Sequence, residues 1–410
     1  MQNTVLILSQ VYVPDPAAVG QCMHEAAAQL AARGNRVVVL TSRRGYADPS
    51  ECYPSRATLD GVDVRRLPLS SFGKSSILAR LIGGMLFVMQ CIAVGMFTRR
   101  LSTILVSTSP PMCPLAALAI AFVRRVSVSY WAMDLNPDQL VVMGKIAANS
   151  PPVRAFESLN RATLRRSQNV IALDSYMASR LNAKVDISEK MAVMPPWSHL
   201  NANQSPIAHE DNPFRKKNGF GNRVVIMYSG NISPSHPVTT ILDAASKLQD
   251  CPQLLFVFIG SGLGRAAIEK AVERDQLQNV LVLPYQPFDQ IHFSLSAADV
   301  HLVSMGDEMV GIVHPCKVYG AMAVGRPILF LGPRESHVGE ILSQADVGWH
   351  VAHGDVDAAV ARLREISTSS TAERGTKGLN AQELVRDQFD PDQLKGEFCD
   401  VVEQGLRRAA

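Results

Sequence analysis

The sequence contains few cysteines, and their spacing indicates neither a disulfide framework nor a zinc site. Seven cysteines are scattered over 410 residues, and no two of them form a CxxC pair. Secreted disulfide scaffolds and structural zinc sites both depend on closely spaced cysteines. We therefore expect a protein of a reducing, cytosolic compartment. The first ten residues agree, because they carry no basic leader region or cleavage site and fit a first strand.

Several motifs that mark catalytic or nucleic-acid-binding proteins are also missing. There is no P-loop, no GxSxG nucleophile elbow and no HExxH zinc motif. A late D-x-D pair, Asp355 and Asp357, is better explained as a helix N-cap followed by a first-turn acid. Basic strands interleaved with aromatic residues, which single-strand nucleic-acid binders use, are not evident. We therefore predict no metal site, no cofactor and no nucleic-acid partner.

The chain has no uninterrupted apolar run of the ~20 residues that a membrane-spanning helix requires. Its most apolar segment, residues 77–97, is interrupted by Arg80 and Gln90. We interpret it as a buried helix pair or an amphipathic surface helix, with a peripheral membrane contact or a true span as alternatives. Paired arginines at 65–66, 99–100, 124–125 and 165–166 would suit an anionic membrane surface. A solvated basic face also explains them.

Charged residues are scarce as well, at 19% of the chain against 47% hydrophobic residues. That balance is typical of a well-packed α/β protein and not of a disordered one. The length suggests two domains, since one hydrophobic core rarely serves more than about 300 residues. The net charge of +3 hides an asymmetry, with +9 over residues 1–200 and −6 over residues 201–410. We expect the two halves to have different surroundings or partners.

Continuous apolar segments alternate with helix-like segments in both halves of the chain. This alternation is typical of parallel sheets covered on both faces, so each half is predicted to be a doubly wound, Rossmann-like α/β domain. The predicted strands are residues 4–8, 36–40, 103–107, 126–131, 169–173, 191–194, 224–230, 254–260, 280–284, 300–304 and 327–331. Ligands bind at the carboxyl ends of such strands. With two domains, the interdomain cleft is the expected active site.

One aperiodic stretch sets the predicted domain boundaries. Residues 199–222 are polar and rich in Pro and Asn, which is typical of a linker. They would separate an N-terminal domain, residues 1–198, from a C-terminal domain, residues 223–387. A helical segment over 376–406, broken at Asp390-Pro391, ends the chain. Its last part, about 388–410, is expected to pack back on the N-terminal domain.

Two loops of the N-terminal half are candidates for the site. Gly20 opens a helix after the first strand, where it would let an anionic ligand approach the helix N-terminus. A plain structural turn explains Gly20 as well, and His24 one turn later fits a solvated helix histidine. Asp134 follows the apolar strand at 126–131. It could meet a sugar hydroxyl or act as a general base, while helix capping by Asp134 or Asn136 is the structural alternative.

Two loops of the C-terminal half carry small and polar residues directly after strands. Gly230 and Asn231 follow one strand, and His236 lies shortly before the next helix. Small residues with free amides make a good cradle for an anion, and histidine there would suit a phosphate. Gly260 and Gly262 belong to a Gly-x-Gly-x-Gly run that departs from the dinucleotide fingerprint. We interpret that run as a nucleotide-facing turn and not as an NAD site.

The stretch HPCKVYGAMAVGRPILF, residues 314–330, places a cation where the helix dipole disfavours one. Pro315 suits a first helical position, and Lys317 falls in the first turn. No carboxylate occurs between Glu308 and Glu335. An anionic ligand near the start of this helix would remove the conflict, and lysine is a common phosphate ligand.

Taken together, these loops resemble the retaining glycosyltransferases of family 4, which have the GT-B fold. The most specific segments are YSGNISPSHPVTTILDAA, NVLVLPYQPFDQIHFSLSAADVHLV and HPCKVYGAMAVGRPI. The last resembles the PSKxYxxMAxGRP version of the branch that builds colanic acid, capsule and O-antigen polysaccharides. DLNPD resembles the D-x-x-P-E segment of that branch. The resemblance runs over nearly the full chain.

The resemblance implies roles for particular residues. Asp134 would face the reacting sugar, and Lys317 and His236 would stabilise the leaving diphosphate, which gives three expected catalytic residues. Gly230, Asn231 and His236 lie where the family usually has Arg and Lys. The loop at Tyr285 would hold the base. The residues expected to bind substrate are Gly20, Gly230, Asn231, Gly260, Gly262, Tyr285, Gln286 and Pro315.

The sequence also departs from the family pattern. Many members carry a Glu-x7-Glu pair, and alignment puts Ile312 and Gly320 at those two positions. The second glutamate normally holds the ribose, so its absence leaves the nucleotide open. The usual Arg and Lys are replaced by Asn231 and His236.

The resemblance implies a retaining, metal-independent transferase that uses a nucleotide-sugar donor, with an N-terminal acceptor domain and a C-terminal donor domain. Its acceptor would be a saccharide or a polyprenyl-diphosphate-linked sugar. The enzyme would then be a peripheral protein at the inner face of the cytoplasmic membrane. Two alternatives remain. They are a nucleotide-sugar epimerase on the same fold and a non-catalytic subunit of a polysaccharide assembly.

Overall fold

The computed structural model describes residues 3–15, 17–45, 50–70, 77–200 and 202–408. The chain divides into two compact units. Unit 1 consists of residues 1–196, 311–314 and 392–410, and unit 2 consists of residues 197–310 and 315–391. Each unit is a sheet covered by helices, so the chain has two Rossmann-like α/β units, as the alternation of apolar segments predicts.

The sheet of unit 1 has eight strands in the order β3-β4-β2-β1-β5-β6-β7-β8. Neighbouring strands are parallel except for β3 and β4, which pair antiparallel at one edge. The strands are β1 (Thr4–Leu8), β2 (Arg36–Ser42), β3 (Arg56–Leu59), β4 (Val62–Leu67), β5 (Leu101–Ser107), β6 (Ser127–Trp131), β7 (Asn169–Ala172) and β8 (Met191–Val193). The strand order reverses between β1 and β5, which is where ligands bind in doubly wound sheets.

The sheet of unit 2 has six parallel strands in the order β11-β10-β9-β12-β13-β14. The strands are β9 (Val224–Ser229), β10 (Leu254–Ile259), β11 (Val280–Leu283), β12 (Val300–Ser304), β13 (Ile328–Leu331) and β14 (Gly348–Val351). All six positions of β10 and all five of β12 are buried, since helices cover both faces. Here the order reverses between β9 and β12.

Fifteen helices are described. Those of unit 1 are α1 (Ala18–Ala32), α2 (Ile77–Met96), α3 (Cys113–Arg124), α4 (Asp138–Val142), α5 (Pro151–Arg166), α6 (Ser175–Lys184) and α15 (Pro391–Arg408). Those of unit 2 are α7 (Pro213–Lys217), α8 (Thr239–Lys247), α9 (Arg265–Arg274), α10 (Ile291–Ser296), α11 (Lys317–Ala323), α12 (His337–Gln344), α13 (Val356–Thr368) and α14 (Thr371–Gln388).

The stretch expected to be a linker, residues 199–222, is anchored in unit 2, apart from Asn201, which lies outside the described residues. It contains the short helix α7, capped by the Asn212 side chain. Arg215 of α7 is buried and donates to the Ala297 carbonyl at 2.7 Å and to the Asp299 carboxylate at 3.1 Å. The polar composition predicted a linker, but the segment is held in unit 2 because its buried Arg215 forms these hydrogen bonds.

The C-terminal helical segment is broken between α14 and α15, as Asp390-Pro391 predicts. Residues 392–410 belong to unit 1, although residues 409–410 lie outside the described part. Phe398 of α15 stacks at 4.5 Å on Trp131, and the Asn169 side chain donates to the Val401 carbonyl at 2.6 Å. Arg33 pairs with Asp400 at 2.6 Å.

The apolar segment at 77–97 forms one helix, α2, and not a helix pair. Its buried face packs on α3, since a Cβ on Gly95 would lie 2.4 Å from Ile120. Along the described ranges, no helix combines the length and the apolar character needed to cross a bilayer. The side chains of residues 77–80 lie outside the described part of the chain.

Candidate active site

Two glycine loops of unit 2 interlock at the carboxyl ends of β9 and β10. Gly230 and Gly260 have φ angles of 134° and 144°, which glycine alone adopts readily. A Cβ on Gly260 would lie 2.0 Å from the Gly230 carbonyl oxygen, and one on Gly262 would lie 2.5 Å from Asn231 Oδ1. The Ile232 amide donates to the Ser261 carbonyl at 2.8 Å. Both loops therefore use glycine for contact with each other, which the Gly-x-Gly-x-Gly pattern did not reveal.

Lys317 reaches these loops from the first residue of α11. Its Cε and Nζ lie 3.4 Å and 3.8 Å from the position that a Gly230 Cβ would take, and Nζ donates to the Tyr228 hydroxyl at 2.5 Å. The Tyr228 hydroxyl donates a hydrogen bond to the Asn231 carbonyl at 2.7 Å, so its oxygen is oriented to accept from Lys317. Among the described residues, Lys317 forms no ion pair with a carboxylate. Burial lowers the pKa of Lys317 to about 7.

His236 lies near Lys317 but is held in its neutral form. Its Nδ1 is 2.7 Å from the Ser304 carbonyl oxygen, and a carbonyl can only accept, so Nδ1 carries the proton. Burial, and secondly the charge of Lys317, lower the pKa of His236 to about 3. A neutral ring protonated at Nδ1 has only a lone pair at Nε2. It therefore suits a ligand hydroxyl, whereas a phosphate oxygen requires prior protonation of the ring.

The other expected ligand residues of unit 2 lie in two loops, one after β11 and one before α11. Tyr285, which follows β11, is partly exposed, and its ring lies 3.5 Å from the position of a Gly260 Cβ. The Gln286 side chain donates to the Pro284 carbonyl at 2.8 Å, so it is used locally. Pro315 is not the first helical residue. It lies two positions ahead of Lys317, where α11 begins, because Cys316 is the N-cap.

In unit 1, Asp134 lies just beyond β6, at the carboxyl edge of the sheet. The backbone N–H of Asp134 donates to the Thr108 hydroxyl at 3.2 Å. The following helix α4 begins at Asp138 with Pro137 as its N-cap and no side-chain cap, so neither Asp134 nor Asn136 caps it. The side chain keeps accessible surface. Surrounding protein raises the pKa of Asp134 to about 6, and the charge of His314 opposes this rise.

A buried His–Asp pair lies beside Asp134. His314 Nδ1 is 2.7 Å from Asp174 Oδ2, and both side chains are almost completely buried. The other carboxylate oxygen of Asp174 caps α6 by accepting from the Met177 amide at 2.7 Å. Gly311, at φ 68°, lets this segment approach α6, since a Cβ there would lie 2.7 Å from the Tyr176 carbonyl. His314 is thereby fixed in orientation.

Gly20 is buried in the first turn of α1. A Cβ on it would lie 3.0 Å from Tyr12 Cα and 3.2 Å from a Val11 methyl. The close approach that requires glycine is therefore made by the chain's own backbone after β1. The nearby His24 is not merely solvated, because it bonds both the Tyr12 hydroxyl and Asp60 at 2.9 Å.

The two positions that lack the family's glutamates differ in their surroundings. Ile312 is fully buried, and its carbonyl accepts from the Leu135 amide at 2.9 Å. Gly320 lies in α11, where an added Cβ would meet only Leu295, at 3.5 Å. An added Cβ therefore has room at 320, whereas the side chain at 312 is shut off from solvent.

Sequence reasoning missed several polar groups at these strand ends. Tyr228 was missed because it lies inside an apolar strand segment. It is the second-last residue of β9, which ends one residue before Gly230. Asp174 directly follows the strand at 169–173, the same signal that identified Asp134. Ser304 is the last residue of β12, and Thr108 directly follows β5. Arg326, nine residues after Lys317 in the sequence, donates to the carbonyls of Ile207 and Ser296 at 2.8 Å.

Two family models match the chain. The model described as glycosyl transferases group 1 matches residues 210–378, and the model of the glycosyl transferase 4-like domain matches residues 17–197. They fall on separate halves of the chain, and together they leave out only its two ends and residues 198–209.

Two relatives and one solved structure extend the comparison. The probable glycosyltransferase WbjE of Pseudomonas aeruginosa is 25% identical over 269 residues, 65% of this chain and 66%, just under two thirds, of that protein. The putative colanic acid biosynthesis glycosyl transferase WcaI of Escherichia coli K12 is 24% identical over 375 residues, 88% of this chain and 91% of that protein. The crystal structure of Anabaena HepE with UDP-glucose has a TM-score of 0.70 at 17% identity, covering 98% of this chain and 99% of that one.

The fold and the family models agree on one class of enzyme. At 17% identity the likeness to HepE concerns the fold alone, and that fold is GT-B. The two family models supply the class, because each matches one of the two Rossmann-like halves. The chain is therefore a glycosyltransferase, and it belongs to family 4.

Proposed function

We propose that this chain is a retaining, metal-independent glycosyltransferase that moves a sugar from a nucleotide-sugar donor to a lipid-linked or saccharide acceptor in cell-surface polysaccharide biosynthesis. The observation that carries the proposal is Lys317. It lies at the carboxyl ends of β9 and β12 without a carboxylate partner among the described residues, beside loops made of glycine and backbone amides. Such a site suits a diphosphate, because lysine and backbone amides are common phosphate ligands.

The relatives support the choice of donor and product. HepE was solved with UDP-glucose, and WcaI is named for colanic acid biosynthesis. A nucleotide-sugar donor and a polysaccharide product are therefore the first candidates for this chain. The missing glutamate at Gly320 leaves the nucleotide undetermined, since the ribose contact of other members is absent.

The proposed chemistry divides between a few residues. The bond from the anomeric carbon to the diphosphate breaks, and a new bond to the acceptor oxygen forms on the same face, while the acceptor hydroxyl gives its proton to the departing diphosphate. Lys317 stabilises the charge that develops on the diphosphate, the role a metal ion has in other transferases. Above pH of about 6, the ionised Asp134 can accept a hydrogen bond from a sugar hydroxyl. His236 accepts from a second hydroxyl through Nε2.

The same proposal covers the other residues that the sequence predicts to bind the substrate. The Asn231 side-chain amide and the Gly262 backbone N–H would donate to the diphosphate, and Tyr285 would lie against the base. The N–H groups of Gly230 and Gly260 already donate to the Ile259 and Leu283 carbonyls at 2.9 Å and 3.0 Å, so these two glycines would only leave space for the ligand. Asn231 is exposed on its loop, which suits such a contact. Gly20, Gln286 and Pro315 have local structural roles on the distances above, and we propose them as ligand contacts only through their backbones.

The proposal is tested by donor binding followed by turnover. Thermal-shift screening against UDP-, GDP- and dTDP-sugars should single out one donor, and NMR of the product should show the donor's anomeric configuration retained. Lys317→Ala should lower turnover by on the order of 100-fold, while the exposed Lys216→Ala should leave it unchanged. Inversion of the product, or full turnover by Lys317→Ala, would contradict the proposal. A new epimer from donor alone would instead identify an epimerase.

A further inference from the structure

A group of charged side chains lies at the amino-terminal edge of the sheet of unit 2. Asp299 directly precedes β12, and Arg326 lies two residues before β13. Arg215 of α7 donates to Asp299 Oδ2 at 3.1 Å, and Arg374 of α14 lies 3.4 Å from Oδ1. These four residues and His209, whose Nδ1 is 3.8 Å from the same Oδ1, form what we call the Asp299 cluster. The loops after β9 and β10 lie at the opposite edge of the sheet, so the cluster is not part of the proposed donor site.

Packing of α14 brings Arg374 beside Arg326. An added Cβ on Gly378, one helical turn after Arg374, would lie 3.4 Å from Arg326 Cα. Residues four apart share one face of a helix, so α14 presents Arg374 on the side of Arg326. Arg326 Nη2 also donates at 2.8 Å to the carbonyls of Ile207 and Ser296, which lie within three residues of the other two members that bond Asp299 Oδ1 or supply it. The cluster is therefore assembled from separate segments of the chain.

The Asp299 cluster contains more positive than negative charge. Arg215, Arg374 and Asp299 are each at most 8% exposed. In the described part of the chain, Asp299 is the carboxylate that pairs with Arg215 and Arg374, and Arg326 forms no ion pair but donates to carbonyls. Burial is the main reason why the pKa of His209 is lowered to about 4, so the ring adds no charge at pH 7. Three guanidinium groups thus share one carboxylate, and buried charges need a counterion.

Buried polar atoms of the same region have no hydrogen-bond partner among the described residues. They are Arg326 Nε, Arg374 Nε, His209 Nε2 and Ser296 Oγ. The Arg374 side chain is 9% exposed, and Ser296 is completely buried. A buried N–H or O–H without an acceptor costs free energy on folding. A water molecule can accept from these donors, but only an anion also offsets the excess of positive charge.

We propose that the Asp299 cluster binds a small monovalent anion, chloride, between Arg326 and Arg374. The Nε–H groups of the two arginines and the Ser296 hydroxyl donate to the anion. The ligand is small because these donor atoms are shut off from solvent, which leaves no access for a nucleotide or a sugar phosphate. The anion holds the segment before α7 against α14 and thereby stabilises unit 2. This inference does not depend on the proposed donor chemistry.

Unfolding of the full chain in chloride tests the proposal. Urea titrations compare sodium chloride with sodium gluconate at equal ionic strength, because the gluconate anion is too large for such a site. At a chloride concentration of roughly 20 times the dissociation constant, the ratio of folded to unfolded protein should rise about 20-fold. Hydrogen exchange should show added protection in β9 and β12 of unit 2 and none in β1 of unit 1.

Variants separate the cluster from a general effect of salt. Arg326→Lys keeps the charge and removes the Nε–H group. Ser296→Ala removes only a hydroxyl, so it serves as the test if the first variant does not fold. Each should weaken chloride binding by on the order of tenfold, since each removes a hydrogen bond to a charged group. Arg274→Lys is the matched control, because the Arg274 side chain is 70% exposed, and it should respond to chloride as the parent does.

Crystals grown in sodium bromide locate the anion directly. An anomalous difference peak is expected within hydrogen-bonding distance of Arg326 Nε and Arg374 Nε. A water molecule there, with no anomalous signal, would overturn the proposal. The same conclusion would follow from equal chloride effects on the two units, or from a Ser296→Ala variant that binds chloride as the parent does.

Discussion

Lys317 is a partly buried cation, and the described residues around it supply a hydroxyl and an aromatic ring but no carboxylate. Its Nζ lies 3.9 Å from the centre of the Tyr228 ring and bonds the hydroxyl of the same residue. A ring face attracts a cation only modestly, so desolvation still lowers the pKa of Lys317 to about 7. At neutral pH the free protein therefore holds this lysine close to its titration midpoint, and an anion would complete its charge.

Donor binding should consequently take up a proton. At pH 8 the free Lys317 is mostly neutral, and a diphosphate beside it raises its pKa, so close to one proton should be absorbed. Affinity should fall as the pH rises above about 7, because protonating Lys317 on binding then costs more free energy. Calorimetry in two buffers of different ionisation enthalpy measures the uptake. A Lys317→Gln variant should show none, and uptake by that variant would assign the proton to another group.

Asp134 should set the acid limb of the pH–rate profile. Its pKa is raised from 3.8 to about 6, so below that pH the carboxyl is protonated and can no longer accept from a sugar hydroxyl. We expect kcat/KM to rise with pH through about 6 and then level until Lys317 loses its proton. Profiles of the parent and of Asp134→Asn measure this. An unchanged acid limb in the variant would show that another group titrates.

At the scale of elements, the loops after β9 and β10 behave as one structure, because each fills space that a side chain would need. Gly260→Ala adds a Cβ at 2.0 Å from a carbonyl oxygen in a backbone conformation with φ 144°. We expect unit 2 to lose about 2–4 kcal/mol of unfolding free energy, together with donor affinity. Urea unfolding and donor titration measure the two effects.

Gly375→Ala is the matched control for that substitution. Gly375 lies inside α14, and an added Cβ would meet nothing within 4 Å. Alanine should therefore stabilise the chain by about 0.5–1 kcal/mol, since glycine is a weak helix former. If Gly260→Ala were as well tolerated as Gly375→Ala, the interlocking of the two loops would not be needed for folding.

Three strands show where pattern reading fails at this scale. β3, at an edge, and its neighbour β4 were not predicted, because RATL and VDVRRL mix polar with apolar residues, as strands with one buried face do. β14 consists of only four residues, GWHV. The central strands were predicted because both of their faces are buried, which requires continuous apolar runs.

At the scale of the whole molecule, the chain returns to unit 1 for its last helix. Phe398 is completely buried against Trp131. Phe398→Ala should cost about 3–5 kcal/mol of unfolding free energy. Hydrogen exchange should then show lost protection in β6 and α1 of unit 1 and none in β9 or β10 of unit 2. A uniform loss over both units would contradict the division into two units.

The exposed Leu379 of α14 provides the control for Phe398. It is 58% exposed, so Leu379→Ala should change the unfolding free energy by less than about 0.5 kcal/mol. Equal effects of the two substitutions would mean that α15 contributes little to the core of unit 1.

The sequence by itself determined the two Rossmann-like halves, the positions of the buried strands and the break before α15, because burial on both faces and proline both leave local patterns. It also identified Lys317 and Asp134 as unusual, since a cation in a first helical turn and an acid after an apolar strand conflict with local preferences. Resemblance of short motifs was sufficient to indicate the family.

Only the tertiary structure decided what the glycines, histidines and arginines do. Gly260 and Gly262 pack against a loop about thirty residues earlier, His236 is fixed as a neutral acceptor by the Ser304 carbonyl, and Arg326 binds backbone carbonyls. His314 is oriented by Asp174, 140 residues away. Partners that are distant in sequence leave no periodic signal, so the protonation and orientation of these side chains could be known only once the chain was folded.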